Sequence, residues 1–187
     1  AAHTGCRYAL AVNSGTSALI SALVAAGIGP GDEVIVPAYT FFASVSAVVV
    51  AKAVPVIVDI DESLTISPEA IEKAVTPRTK AILPVHMLGL PSRMDKIMEI
   101  AKKHKLIVIE DTAQACGGSY HGRYLGTWGD FGCISLDAYK VIGSGEGGVV
   151  MTNDEWLYTR AQSWHDAAAC WRPDRFGKER KEGELFC

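Results

Sequence analysis

The chain has 187 residues, 49% of them apolar and 21% charged, with a formal net charge of −3. That length suits one sizeable hydrophobic core more than two complete domains, and the mixed charge offers no electrostatic footprint for nucleic acid or an anionic membrane surface. The most apolar stretch, 41–51, ends at Lys52 and is too short to cross a bilayer; no charged-then-apolar leader opens the sequence, and a cytoplasmic protein is expected.

From the amino end, short β-branched runs alternate with helical patterns. A strand predicted at 8–12 runs into Asn13-Ser14-Gly15-Thr16-Ser17, which opens a helix over 16–26. A helix start exposes N–H groups and the positive end of the dipole, so Gly15, Thr16 and Ser17 can hold a phosphate; the same serine and threonine can equally be helix caps. Gly27, followed by Pro30-Gly31, ends the helix. A strand at 33–37 leads through Tyr39-Thr40-Phe41-Phe42 into a helix over 41–51. Either phenylalanine can stack on a planar ligand or pack into the core.

After a strand at 54–58, Ser67-Pro68-Glu69 starts a helix over 68–74: a capping hydroxyl, a proline in the first turn and an acid facing the dipole. A strand at 81–85 precedes a helix at 93–104, with Ser92 as its expected cap. The strand at 106–110 delivers Asp111 to its carboxyl end, with Gln114 three residues on. That aspartate reads either as a loop-start cap or as a carboxylate at the mouth of a ligand crevice. Residues 118–126 read as a small hairpin.

A strand at 132–136 follows, containing Ser135. Lys140 comes next, and the glycine-rich 143–148 leads into a strand at 148–152. A lone lysine beside glycines is sterically open, as an amine that holds an aldehyde cofactor must be; most lysines, however, are solvated surface charges. A helix is expected from Asp154 to about His165. From Ala169 the chain turns polar and irregular.

Nearly continuous apolar strands alternating with helices predict a three-layer α/β/α fold on a mostly parallel central sheet. Ligands collect at the carboxyl ends of such strands, where the lysine, aspartate and serine segments all fall. Gly143-x-Gly145-x-x-Gly148 formally matches a dinucleotide fingerprint, but it precedes a strand instead of opening a helix, and a nicotinamide or flavin site is rejected. The five cysteines are widely spaced and no Cys/His cluster suggests a metal, so free thiols and no metal are expected.

Taken together, these segments resemble the DegT/DnrJ/EryC1/StrS family of sugar aminotransferases, which are fold-type-I pyridoxal phosphate enzymes. The matching text is 11–19, 29–37, Thr40-Phe41, Pro84-Val85-His86-x-x-Gly89, Glu110-Asp111-x-Ala113-Gln114-Ala115 and 140–148. The match runs from Tyr8 to about Asp166. The resemblance implies the cofactor pyridoxal 5'-phosphate, bonded to Lys140 as a Schiff base. It implies that Asp111 pairs with the pyridine nitrogen and Gln114 contacts the ring hydroxyl side. Gly15, Thr16, Ser17 and Ser135 would hold the phosphate, and Phe41 would stack on the ring.

The implied reaction carries an amino group, from glutamate in most relatives, to a nucleotide-linked keto sugar or a cyclitol ketone. Relatives with histidine in place of the lysine are dehydratases, so Lys140 points away from them. The chain resembles most of a cofactor-binding large domain (1–187) without the family's carboxyl-terminal small domain, and a homodimer is expected of the full-length protein. Two alternatives stand beside this reading: a pyridoxal phosphate enzyme of another reaction type, and a fragment that binds cofactor or a partner without turnover. No role follows from the sequence for His86 or His165.

Overall fold

A computed structural model describes residues 3–166; the polar tail expected from Ala169, with Cys170 and Cys187, lies outside the described residues. The strands, numbered in chain order, are β1 (Tyr8–Val12), β2 (Glu33–Pro37), β3 (Val54–Val58), β4 (Thr79–Ile82), β5 (Ile107–Asp111), β6 (Ser119–Tyr120), β7 (Arg123–Tyr124), β8 (Phe131–Ser135) and β9 (Gly148–Thr152). The helices are α1 (Gly15–Ala25), α2 (Phe42–Val50), α3 (Pro68–Ala74), α4 (Met94–His104) and α5 (Glu155–His165). Seven strands form one sheet in the order β1-β9-β8-β5-β4-β2-β3, while β6 and β7 make the small separate hairpin expected within 118–126.

β2, β3, β4, β5 and β8 run parallel; β9 is antiparallel to both its neighbours. The mostly parallel sheet is buried on both faces because successive residues of one strand feed two different cores. Val34 and Val36 point into a core with α1, α2 and Ala161 of α5, while Ile35 between them packs with Ile71 of α3 and Met94 and Ile97 of α4. Ala81 and Ile82, and Ile109 and Val108, divide in the same way.

The boundaries that differ from expectation have local causes. β4 ends at Ile82, not Val85, because Pro84 has no N–H to give the ladder. Pairing resumes only as an isolated bridge, Val85 to Asp111, flanked by Asp111 N–H to the Pro84 carbonyl at 2.9 Å. β5 reaches one residue further than predicted, so Asp111 is the last ladder residue, opposite Cys133 of β8. Ser92 does not cap α4: its N–H donates to His86 Nδ1 and its hydroxyl to the Val85 carbonyl, both at 3.1 Å. Ser67 does cap α3, accepting from Ala70 N–H, and Asp154 caps α5, accepting from Leu157 N–H. Gly27 closes α1 at φ +77°, a left-handed conformation glycine adopts without strain.

Candidate active site

The carboxyl ends of the parallel strands open onto a cavity of about 440 Å³. Of the residues singled out in the sequence, Gly15, Thr16, Phe41, Asp111, Gln114, Ser135 and Lys140 line it. Ser17 does not. Its N–H donates to Ser14 Oγ at 3.0 Å, and its own hydroxyl oxygen accepts from Ser14. The segment is therefore capped by Ser14 and still presents Gly15 and Thr16, whose N–H groups have no intrahelical partner, to the cavity.

Glycine is required at position 15 for a reason sequence reading did not anticipate. A Cβ there would lie 2.6 Å from Ser135 Cβ, so the missing side chain is what lets β8 and the start of α1 approach. Gly148 plays the same part beside Ser14, whose carbonyl oxygen would sit 2.3 Å from an added Cβ. Two serines and a helix amino end thus share one corner of the cavity, a donor set suited to a phosphate.

Asp111 occupies the cavity floor. Oδ1 accepts from Ala113 N–H at 3.0 Å and Oδ2 from the Ser44 hydroxyl at 2.8 Å. Burial pushes its carboxyl above the ordinary 3.8, opposed by those two donors and by the Lys140 charge. A buried acid lining a cavity, its carboxyl raised by desolvation despite those donors, fits a cationic partner such as a protonated ring nitrogen. Cys133 lines the same wall, and burial with the nearby Asp111 and Glu110 carboxylates pushes its thiol well above the usual range.

Lys140 lies on the loop between β8 and β9, a connection tied by Leu136 N–H to Gly147 O and Ala138 N–H to Gly145 O, both at 2.9 Å. Its Nζ sits 5.7 Å from the Phe41 ring centroid. Phe41 precedes α2 in extended conformation, and both it and Phe42 are exposed instead of packed in the core, which excludes the core reading for the pair. Gln114 Oε1 accepts from Leu88 N–H at 3.0 Å, leaving its amide nitrogen against Met87 Sδ, a weak acceptor.

Next to Asp111 on β5 lies a brace to which the sequence analysis assigns no role. Glu110 is fully buried and accepts from Gly126, Trp128 and Gly129 N–H at 2.7–2.8 Å and from His86 Nε2 at 3.1 Å. Since His86 Nδ1 accepts from Ser92, the ring proton sits on Nε2. His86 thus joins the 85–92 loop to the loop before β8. An acid inside an otherwise apolar strand was the one available signal. Among the described residues no group of three His, Cys, Asp or Glu could hold a metal ion, and Cys6, Cys116 and Cys133 are free.

Comparison with known proteins gives the family and the fold relatives of the chain. The family model of the DegT/DnrJ/EryC1/StrS aminotransferases matches residues 1–180. GDP-perosamine synthase of Caulobacter vibrioides is 48% identical over 156 residues, 83% of this chain and 42% of that protein. UDP-N-acetyl-3-dehydro-alpha-D-glucosamine 3-aminotransferase of Acidithiobacillus ferrooxidans is 50% identical over 158 residues, 82% of this chain and 42% of that protein. The crystal structure of NtdA from Bacillus subtilis with bound cofactor PMP superposes with a TM-score of 0.80 at 41% identity, covering 86% of this chain and 36% of that one. The chain therefore spans less than half the length of the curated relatives it matches.

Proposed function

The chain belongs to the DegT/DnrJ/EryC1/StrS aminotransferase family, and we propose that it forms the large, cofactor-binding domain of a pyridoxal-phosphate-dependent aminotransferase acting on a nucleotide-linked keto sugar or a cyclitol ketone. One observation carries the reading: an amine (Lys140), a buried carboxylate (Asp111) and a corner of hydroxyl and amide donors (Gly15, Thr16, Ser135) line one cavity. The sugar-nucleotide names of the similar proteins support the acceptor class.

The residues fit the cofactor. Gly15, Thr16 and Ser135 would hold the phosphate, Ser17 would contribute by fixing Ser14, and Phe41 would cover the ring. Gln114 has a free amide donor for the ring hydroxyl. Bound pyridoxal phosphate would supply an electron sink for the pair released when a substrate C–H bond breaks. Asp111 would keep a proton on the pyridine nitrogen, offsetting the cost of its own burial. Lys140 Nζ would take the proton from Cα of the amino donor, for which glutamate is proposed, and in the return half deliver one to the acceptor's carbonyl carbon. Phe42, Tyr139, Val141 and Ile142 leave an exposed apolar surface beside the cavity; this supports a homodimer of the full-length protein meeting there. No helix among the described residues is long and apolar enough to cross a membrane, and the free thiols suit a cytoplasmic enzyme.

The test adds pyridoxal 5'-phosphate to wild type and Lys140→Ala and records the visible spectrum. A lysine-dependent band is expected, with borohydride fixing the label on the peptide that contains Lys140. A band of equal strength in the variant, or label elsewhere, contradicts the reading. Transfer of nitrogen from glutamate to a nucleotide-linked keto sugar separates the aminotransferase from a dehydratase or a non-catalytic binder.

A further inference from the structure

Ser44 sits in the apolar run of α2 with no exposure to solvent, and its hydroxyl donates to Asp111 Oδ2 at 2.8 Å across 67 positions of sequence. Thr40 Oγ1 stands 2.7 Å from Ser44 Oγ. A serine hydroxyl has one proton. With that proton on Asp111, the second contact is made by Thr40 donating to Ser44, the nearer acceptor at 2.7 Å, while the Phe41 carbonyl at 3.2 Å competes for the same proton. Thr40 itself lines the cavity. Three residues therefore form a directed chain, Thr40 to Ser44 to Asp111, whose far end is a carboxylate oxygen and whose near end is open to a ligand.

The other Asp111 oxygen is held by Ala113 N–H, a bond fixed by the backbone after β5. Backbone and hydroxyl together set both the rotation and the tilt of the carboxylate. Only the hydroxyl bond depends on a side chain, and only it comes from another element.

We propose that Ser44, backed by Thr40, is a positioning residue that fixes the Asp111 carboxylate toward the cavity for a cationic ring nitrogen. This rests on the cofactor reading above for its ligand. The remaining titratable neighbours of Asp111 are Cys133 on β8, Lys140 on the loop that follows β8, and His86 and Glu110 of the brace behind it. None of them donates to Oδ2. Removing the Ser44 hydroxyl leaves that oxygen buried without its side-chain donor, and charge-assisted bonds of this kind are the strong ones.

The test uses the full-length protein and four forms: wild type, Ser44→Ala, Ser44→Thr and Thr40→Val. The first measurement is a ¹³C-NMR titration of Asp111 without ligand. Ser44→Ala is expected to raise its midpoint, Thr40→Val to raise it by less, and Ser44→Thr to restore it. The second is pyridoxal 5'-phosphate affinity, read from the Lys140-dependent absorbance. Ser44→Ala is expected to weaken it about tenfold and Ser44→Thr to recover it to within about threefold. An unchanged Asp111 midpoint in both Ser44→Ala and Thr40→Val overturns the proposal, and so does full affinity in Ser44→Ala. Should Ser44→Ala fail to fold, Thr40→Val decides the matter by the same midpoint. A wild type that does not bind the cofactor, with the midpoint shifts present, overturns the cofactor reading alone.

Discussion

His86 Nε2 lies 3.1 Å from Glu110 Oε2, and neither side chain reaches solvent. The pair joins two loops at the carboxyl edge of the sheet, and three backbone N–H groups converge on the same carboxylate. Glu110→Ala strands four buried donors at once, so a loss of about 3–5 kcal/mol is expected. His86→Leu leaves Glu110 with its three backbone donors and should cost less, about 1–3 kcal/mol. Urea unfolding of both variants checks the order; a smaller loss for Glu110→Ala than for His86→Leu contradicts the brace.

Asp111 gives a pH dependence with a definite sign. Burial raises its folded-state pKa above the ordinary 3.8, against the pull of Ala113, Ser44 and Lys140. The native state then binds the proton more tightly than the unfolded chain, so this group's contribution to stability falls as pH rises from about 3.8 through the higher folded value. Asp111→Asn should therefore unfold at higher urea than wild type at pH 7 in the absence of ligand. The difference should close as pH drops below 4, where both forms are neutral. A variant less stable than wild type at pH 7 would reverse the sign and refute the argument.

The two glycine types separate cleanly. Gly15→Ala forces a Cβ to 2.6 Å from Ser135 Cβ, and moving β8 away from α1 should cost about 1–3 kcal/mol while weakening phosphate binding about tenfold. Gly117→Ala meets nothing within 4 Å and pays only for a φ of +84°, about 1 kcal/mol, with binding unchanged. Isothermal titration with pyridoxal 5'-phosphate distinguishes them.

Arg160 of α5 donates from Nε to the Ala25 carbonyl at 2.6 Å and reaches the Val24 carbonyl at 3.5 Å, at the negative end of α1. Arg160→Ala removes a cation and a hydrogen-bond donor from the last turn of α1, and a loss of about 1–2 kcal/mol is expected. Thermal unfolding measures it. Arg160→Lys should recover only part, since an ammonium has no fixed fork to reach two carbonyls.

Much of the architecture was legible because its signals are local. β1, β2, β3 and β9 fall where their apolar runs predict, and α3 and α5 start at the hydroxyl and carboxylate that cap them. Pro84 is equally local: a residue without an N–H cannot continue the ladder, and β4 ends three residues before the expected Val85. At the site, the lining residues could be named because each follows or ends a strand. Ser17 is expected at the phosphate from the resemblance, whereas its N–H and its hydroxyl oxygen both engage Ser14, a local pairing that exists only once the helix start has formed. Ser44 and the brace at Glu110 were missed for one reason: each acts on a partner many residues away, and their effect exists only once α2 meets β5 or the 126–129 loop closes on it.

The reversed direction of β9 has a consequence beyond topology. Ser135 and Val12 both stand opposite Gly148, so the stretch between β8 and β9 leaves and re-enters the sheet at the same end of the strands, without the long crossover connection that parallel neighbours need. The amine-bearing segment is thereby anchored at both ends to adjacent strands, and the bridge from Gly147 to Ser14 ties its far end to the start of α1 as well, so the amine is held in register with the helix end that faces the same cavity.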